Sequence, residues 1–229
     1  METLLPLGRF APADATALAV LFGLFLVSGW LSEHPPARRL SVSVLMERFR
    51  RDWMREFVTR QPRIFDATIL DSLRQGTAFF ASASMIAIGG GVALIGNTQR
   101  LQTLASDLSL QAEGVLLEVK IILIIGFLSN ALLKFIWAHR LFGYCSILMA
   151  AVPNDVNDPL AMTRAAQAGE INITAARSFN RGLRSIYFAL GALGWLLGPW
   201  VLIGTAAAAA GVLLRREFWS QSRQVMLGL

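Results

Sequence analysis

Apolar and polar positions in this chain are sorted into long blocks and do not alternate finely. No residue is charged from Gln75 to Gln99, nor from Ser185 to Leu214. A bilayer core of about 30 Å is crossed by about 20 helical residues, so blocks of this length read as membrane spans. The pattern predicts about four of them, at 14–31, 76–96, 121–146 and 185–214. The first, "ATALAVLFGLFLVSGWL", has no basic leader beyond Arg9 and no small-residue cleavage site before "SEHPPARR". It reads as a retained helix and not as a signal peptide. The third runs past Asn130, Lys134, His139 and Arg140 toward Val152. As a helix it would reach ~48 Å, so it crosses the bilayer and then projects. In the fourth, Gly198-Pro199 removes a backbone hydrogen bond at mid-span and predicts a kink.

Two hydrophilic connections, 32–75 and 153–184, separate these blocks. In the first, Pro35 and Pro36 end the preceding helix. "SVSVLMERFRRDWMREFVTR" then places Val42, Leu45, Met46, Phe49, Trp53 and Phe57 at helical spacing, with Arg48, Arg51, Arg55 and Glu56 on other faces. That is an amphipathic helix, on the membrane surface or packed under the bundle. Pro62 breaks it, and "RIFDATILDSLRQ" begins a helix that continues into the second span. In the second connection Asp158 caps a helix whose first turn holds Pro159. Ala83, Ala87 and Gly91 are four residues apart in the second span, a spacing that lets membrane helices approach closely. Leu101, Leu104 and Leu108 give the segment after it a weak helical period. The fold class is therefore all-α: one membrane domain over 1–229, with a cytoplasmic amphipathic helix and a cytoplasmic helical connection.

Composition strengthens this picture. Of 229 residues 55% are hydrophobic and 16% charged, against about 25% charged in soluble domains; the mean hydropathy is +0.53. The single Cys145 excludes an intramolecular disulfide. The net charge of +6 comes almost wholly from arginine, since Lys120 and Lys134 are the only lysines. In a membrane protein such a balance points to orientation and to anionic phospholipid headgroups, and not to nucleic acid. Nine Lys and Arg fall in 32–75 and five in 139–185. The positive-inside rule then places both connections in the cytoplasm and, with four spans, both termini in the periplasm of a bacterial inner membrane. "RREFWSQSR" near the C-terminus is basic and fits that arrangement poorly.

Candidate chemistry is sparse. "GVALIGNT" has Asn97 where a phosphate-binding loop needs lysine, and no strand precedes it. His34 and His139 would have to meet in one pocket to hold a haem, and His34 sits in a proline turn. The "NIT" sequon at Asn172 is expected to be cytoplasmic and unmodified. Six tryptophans, Trp30, Trp53, Trp137, Trp195, Trp200 and Trp219, read as interface anchors. No catalytic, cofactor or metal residue is identified. Asn130 and Lys134, one turn apart on the third span, form a candidate intramembrane polar site. An ammonium there either snorkels to headgroups or pairs with an acid, for which Asp14, Asp66, Asp71 and Glu118 are available. A second cluster lies at the cytoplasmic boundary. Asn180, Arg181 and Arg184 open the fourth span, and Asp66, Asp71 and Arg74 precede the second, where Arg–Asp pairs would clamp the two helices.

Three segments, "RIFDATILDSLRQGTAFFASASMIAIGG", "ALLKFIWAHRLFGYCSILMAAVP" and "FNRGLRSIYFALGALGWLLGP", occur in the order seen in a bacterial and plant membrane-protein family. From about Arg48 to Leu202 the chain resembles this family, catalogued as domain of unknown function 599. The resemblance implies a multi-span helical protein and transfers no mechanism. The residues themselves point to a non-enzymatic subunit, scaffold or accessory factor, self-associating or bound to another membrane protein. The alternative is a small oligomeric channel or transporter using Lys134 and the break at Gly198-Pro199.

Overall fold

The computed structural model describes residues 11–97 and 117–228, so the Leu101–Leu108 periodicity lies outside the described residues. Every regular element among them is helical. In chain order these are α1 (Pro12–Glu33), α2 (Val42–Thr59), α3 (Ile64–Ile95), α4 (Leu117–Ala150), α5 (Pro159–Ala192), a 3-10 turn (Leu193–Leu197), α6 (Pro199–Phe218) and α7 (Gln221–Leu227). Of these, α1, α3 and α4 are long and apolar enough to cross a membrane. The chain is an all-helical membrane protein.

Local chemistry sets the boundaries. Ser41 caps α2 by accepting from the Val44 amide, and Asp158 caps α5 by accepting from Leu160. These bonds satisfy amides that a helix start leaves unpaired. Pro62 separates α2 from α3, and Pro153 follows the end of α4. Both were legible as breakers.

The helices pack antiparallel in sequence. Arg63 donates to the Val152 and Pro153 carbonyls at 2.8 Å each, while Gly91 meets Ile125, so α3 and α4 lie side by side along their described length. Asn130 meets Ser185 and Arg164 meets Ala151, which aligns α4 with α5 in the same way. Two apolar cores result. One, containing Phe57, Leu70, Phe142, Met149 and Ala165, joins α2 to the beginnings of α3 and α5 and the end of α4. The other, containing Leu21, Phe127, Phe188, Trp195 and Leu202, joins α1, the start of α4, the end of α5 and α6. Phe80, Phe135 and Phe179 stack where the two layers meet. Unbroken from Leu117 to Ala150, α4 contributes to both cores; the part of the bundle around the second core, with the apolar helix ends, is the span layer, and the part around the first is the polar layer.

The expectation of one kinked helix over 185–214 is overturned. From Pro159 to Ala192 the chain is a single helix that includes most of the 153–184 connection. After the 3-10 turn, Gly198 takes φ +128°, a backbone that β-carbon-bearing residues rarely adopt, and Pro199 starts a separate helix. The chain folds back: Gly191 lies against Ala206, and Arg216 donates to the Tyr187 hydroxyl. Gly-Pro thus forms the apex of a hairpin and not a bend. Because Trp195 bonds Asp14 while Glu217 bonds Ser43, α6 runs parallel to α1. Pro12 and Phe218 consequently lie at opposite ends of the bundle, whereas a four-span path would bring them to the same end.

The small-residue spacing on α3 is also only partly used. Gly91 packs on Ile125 of α4, but Ala83 and Ala87 face outward.

Candidate functional site

The sequence-predicted boundary cluster forms as two separate groups. Arg181 reaches Glu33 at the end of α1, its Nε donating at 2.9 Å, and Arg184 donates to the same carboxylate at 3.3 Å. Arg184 lies over Gly29, where an added β-carbon would stand 2.6 Å from its guanidinium carbon, and 5.6 Å from the Phe25 ring centroid. A side chain at Gly29 would have to displace the guanidinium, the flexible end of Arg184, from its place over Phe25. Asn180 donates to the Ser43 hydroxyl at 3.2 Å. This group ties α5 to α1 and α2, and its acid is Glu33.

Asp66, Asp71 and Arg74 lie elsewhere. Fully buried, Asp66 accepts from Trp53 Nε1 at 2.6 Å and from Arg60, which fastens both ends of the α2–α3 turn. Asp71 accepts from Gln75 one turn on. The Arg74 carbonyl accepts from Thr77, and His139 Nδ1 sits 3.1 Å from that hydroxyl. The expected Arg–Asp clamp between α3 and α5 is therefore absent among the described residues, since α4 lies between those helices along the layer.

Asn130 is a packing contact: its amide donates to the buried Ser185 hydroxyl at 2.7 Å. Lys134 is half-buried, with its carbonyl accepting from Ser178 at 2.9 Å. That register puts it at the depth of Arg181, and none of the four candidate acids pairs with its ammonium among the described residues. Asp14 instead accepts from Trp195 at 2.8 Å.

His34 stacks on Trp30 while His139 faces α3, so they share no pocket. Among the described residues no three His, Cys, Asp or Glu side chains gather as a metal-ligand set. Trp30, Trp137, Trp200 and Trp219 are well exposed, as interface anchors are. Trp53 and Trp195 are instead donors to aspartates.

Most of the polar residues that sequence reasoning missed line a groove of about 320 Å³ between α2, α5 and the end of α6, whose walls are otherwise apolar. On its α2 side, Glu47 pairs with Arg177 at 2.7 Å, and both Glu217 oxygens bond Ser43, through its amide at 2.9 Å and its hydroxyl at 2.8 Å. Arg50 bonds the side-chain oxygen of fully buried Asn172, and burial lowers the guanidinium pKa from its usual value. Asn172 is therefore a core residue, whatever its sequon suggests. Further out, the Arg51 hydrogen bond holds the Glu170 carboxyl below the usual carboxylate range. A usable signal existed for Glu33: it is the acid at the C-terminal end of the first apolar block, as Arg181 and Arg184 are the bases at the start of the last. For Arg50, Asn172 and Glu217 none did, because their partners are more than a hundred residues away.

No curated protein and no solved structure matches the chain. Residues 16–222 match the family model described as "Protein of unknown function, DUF599", which covers both helical layers, the Glu33 clasp and the groove. The chain belongs to that family.

Proposed function

We propose that this protein is a non-catalytic subunit, scaffold or accessory factor of an assembly in a bacterial inner membrane, with its polar helical layer in the cytoplasm as the partner-binding part. One observation carries the reading. Helices α4 and α5, of 34 residues each, run without interruption from the span layer into the polar layer. A partner held by the outer layer is then rigidly joined to the spans. In this reading α1, α3, α4, the end of α5 and α6 cross in turn, with the start of α1 periplasmic and the end of α6 cytoplasmic. The fold-back supports that path, because it brings the basic tail to the side of the basic connections. Arg39 stacks over Trp219 and Arg223 donates to the Leu40 carbonyl at 2.8 Å. "RREFWSQSR" thereby agrees with the positive-inside rule.

The channel reading has less support, because Asn130 is spent on Ser185 and Lys134 sits at boundary depth. Purification of the full chain in mild detergent with mass and partner analysis tests the proposal. A stoichiometric second membrane protein is the expected result. A homo-oligomer that conducts ions in liposomes would replace it with the channel reading, and a lone inert monomer would overturn both. A reporter fused after Leu229 should read cytoplasmic, and a periplasmic signal would sink the five-crossing path.

A further inference from the structure

Two guanidinium groups at this groove end on neutral partners. Arg50 ends on the neutral oxygen of Asn172, and Arg216 ends on the neutral phenol of Tyr187. Neither makes an ion pair with a carboxylate among the described residues. Both line the one groove, with Asn180 and Tyr187 between them as further polar groups. Of the two acids of the groove, Glu47 pairs with Arg177, while Glu217 accepts from Ser43 and keeps its charge, so three arginines face two carboxylates. A groove with one positive charge in excess, and two guanidinium groups that end on neutral partners, favours an anion over a cation.

Depth narrows the class. Asn180 belongs both to this groove and to the adjoining small cavity that contains Glu33 and Arg184. Leu183 and Leu213 make the rim apolar on the side toward the spans. An anion seated here would lie where a bilayer carries its phosphates, with apolar wall on one side and guanidinium donors on the other. Guanidinium matches the oxygens of a phosphate group in geometry as well as in charge.

We propose that the groove between α2, α5 and α6 is a binding site for a phosphate-bearing anion, held by Arg50 and Arg216 with Asn180 and Tyr187 as neutral donors. The phosphate comes either from the headgroup of an anionic membrane lipid or from a soluble phosphate compound, and the test separates these sources. The inference does not need the scaffold role, but the groove's depth rests on the proposed crossing path.

The full chain is reconstituted in phosphatidylcholine nanodiscs, in the same discs doped with phosphatidylglycerol, and in undoped discs titrated with inorganic phosphate. Thermal midpoint and lipid retention by native mass spectrometry are read. A rise in midpoint with phosphatidylglycerol and a retained anionic lipid identify the headgroup; a rise with inorganic phosphate alone identifies the soluble source. The double variant Arg50→Gln/Arg216→Gln should weaken the response by about tenfold or more. The control Arg48→Gln/Arg55→Gln, two exposed arginines on another face, should respond like wild type. If the double variant fails to fold, the single Arg216→Gln, at an exposed position, serves with an expected partial loss. No midpoint rise with either probe, or an equal response in the groove variant and wild type, would overturn the site.

Discussion

Helices α3 and α5 are similar in length and opposite in character. The more apolar of the two, α3, has only 6% of its span window buried inside the protein. Phe79, Met85 and Ile86 point outward, each more than half exposed. The more polar α5 buries one face from Ala161 to Ala192, and in the span layer its buried positions are chiefly small: Gly182, Ser185, Ala189, Gly191 and Ala192. In water this would be inverted, with the apolar helix at the centre. In lipid there is no hydrophobic drive between helices, so an apolar face is content against acyl chains. What sends a helix to the centre is a surface that lets backbones approach and polar groups find partners. High hydropathy here marks contact with lipid, and a run of small and polar residues marks contact with protein.

The sharpest test of that contrast is steric. A β-carbon at Gly182 would stand 2.6 Å from the ring of Phe135, which is itself fully buried against Phe80 and Phe179. Gly182→Leu should cost about 3 kcal/mol or more, beyond the usual range for overpacking, because no flexible neighbour can yield. Gly90→Leu on α3, where nothing lies within 4 Å, should change stability by less than about 0.5 kcal/mol. Detergent thermal unfolding and cellular abundance measure both. Equal losses would show that the exposed face of α3 is covered by protein.

Next in size is the Glu33 clasp. The Arg184 side chain is 15% exposed and that of Glu33 21%. Glu33→Gln should destabilise by roughly 1–3 kcal/mol, because it leaves Arg184 partly buried without its charge partner. Arg181→Gln, at a side chain 44% exposed, should cost about 1 kcal/mol or less. Similar costs for the two would mean that burial is not what gives the clasp its strength.

A smaller effect is expected at the α4–α5 contact within the span layer. Ser185→Ala strands the Asn130 amide and should cost about 0.6–1.7 kcal/mol, and Asn130→Leu added to it should recover part of that. A double variant as impaired as the sum of the singles would mean that the two side chains act independently.

The smallest effect is a pH dependence of the outer layer. Arg51 holds the Glu170 pKa low, so its contribution is present above the ordinary carboxylate range and lost as the pH falls through the lower folded value. Both side chains are more than 40% exposed, so screening keeps the effect below about 1 kcal/mol. Comparing the acid side of the stability profile for wild type and Glu170→Gln should show a slightly shallower loss in the variant. Identical profiles would remove the pair from the account.

Much of this architecture is legible in the sequence. Long apolar blocks marked the helices able to cross a membrane, prolines marked the breaks, Asp158 marked a helix start, and the third block ran on as one long helix. Each is a property of a few adjacent residues, where backbone chemistry and hydropathy act locally. The fourth block was the exception: a kink and a reversal share the same Gly-Pro signature, and only the fit of Gly191 and Gly194 against the returning helix selects the reversal. The candidate site divides in the same way. Arginines at the threshold of the last apolar block could be read as boundary residues, because charge and hydropathy fix depth. Their partners could not, because depth leaves open which helix stands beside which. Asn130 meets Ser185, Arg184 meets Glu33, and Arg50 meets Asn172 through packing across 55, 151 and 122 residues of chain. The sequence alone determined which segments are apolar enough to enter a bilayer; the tertiary structure decided where the last of them turns back and which helices stand side by side, because those depend on the fit of whole helix faces, which no local stretch encodes.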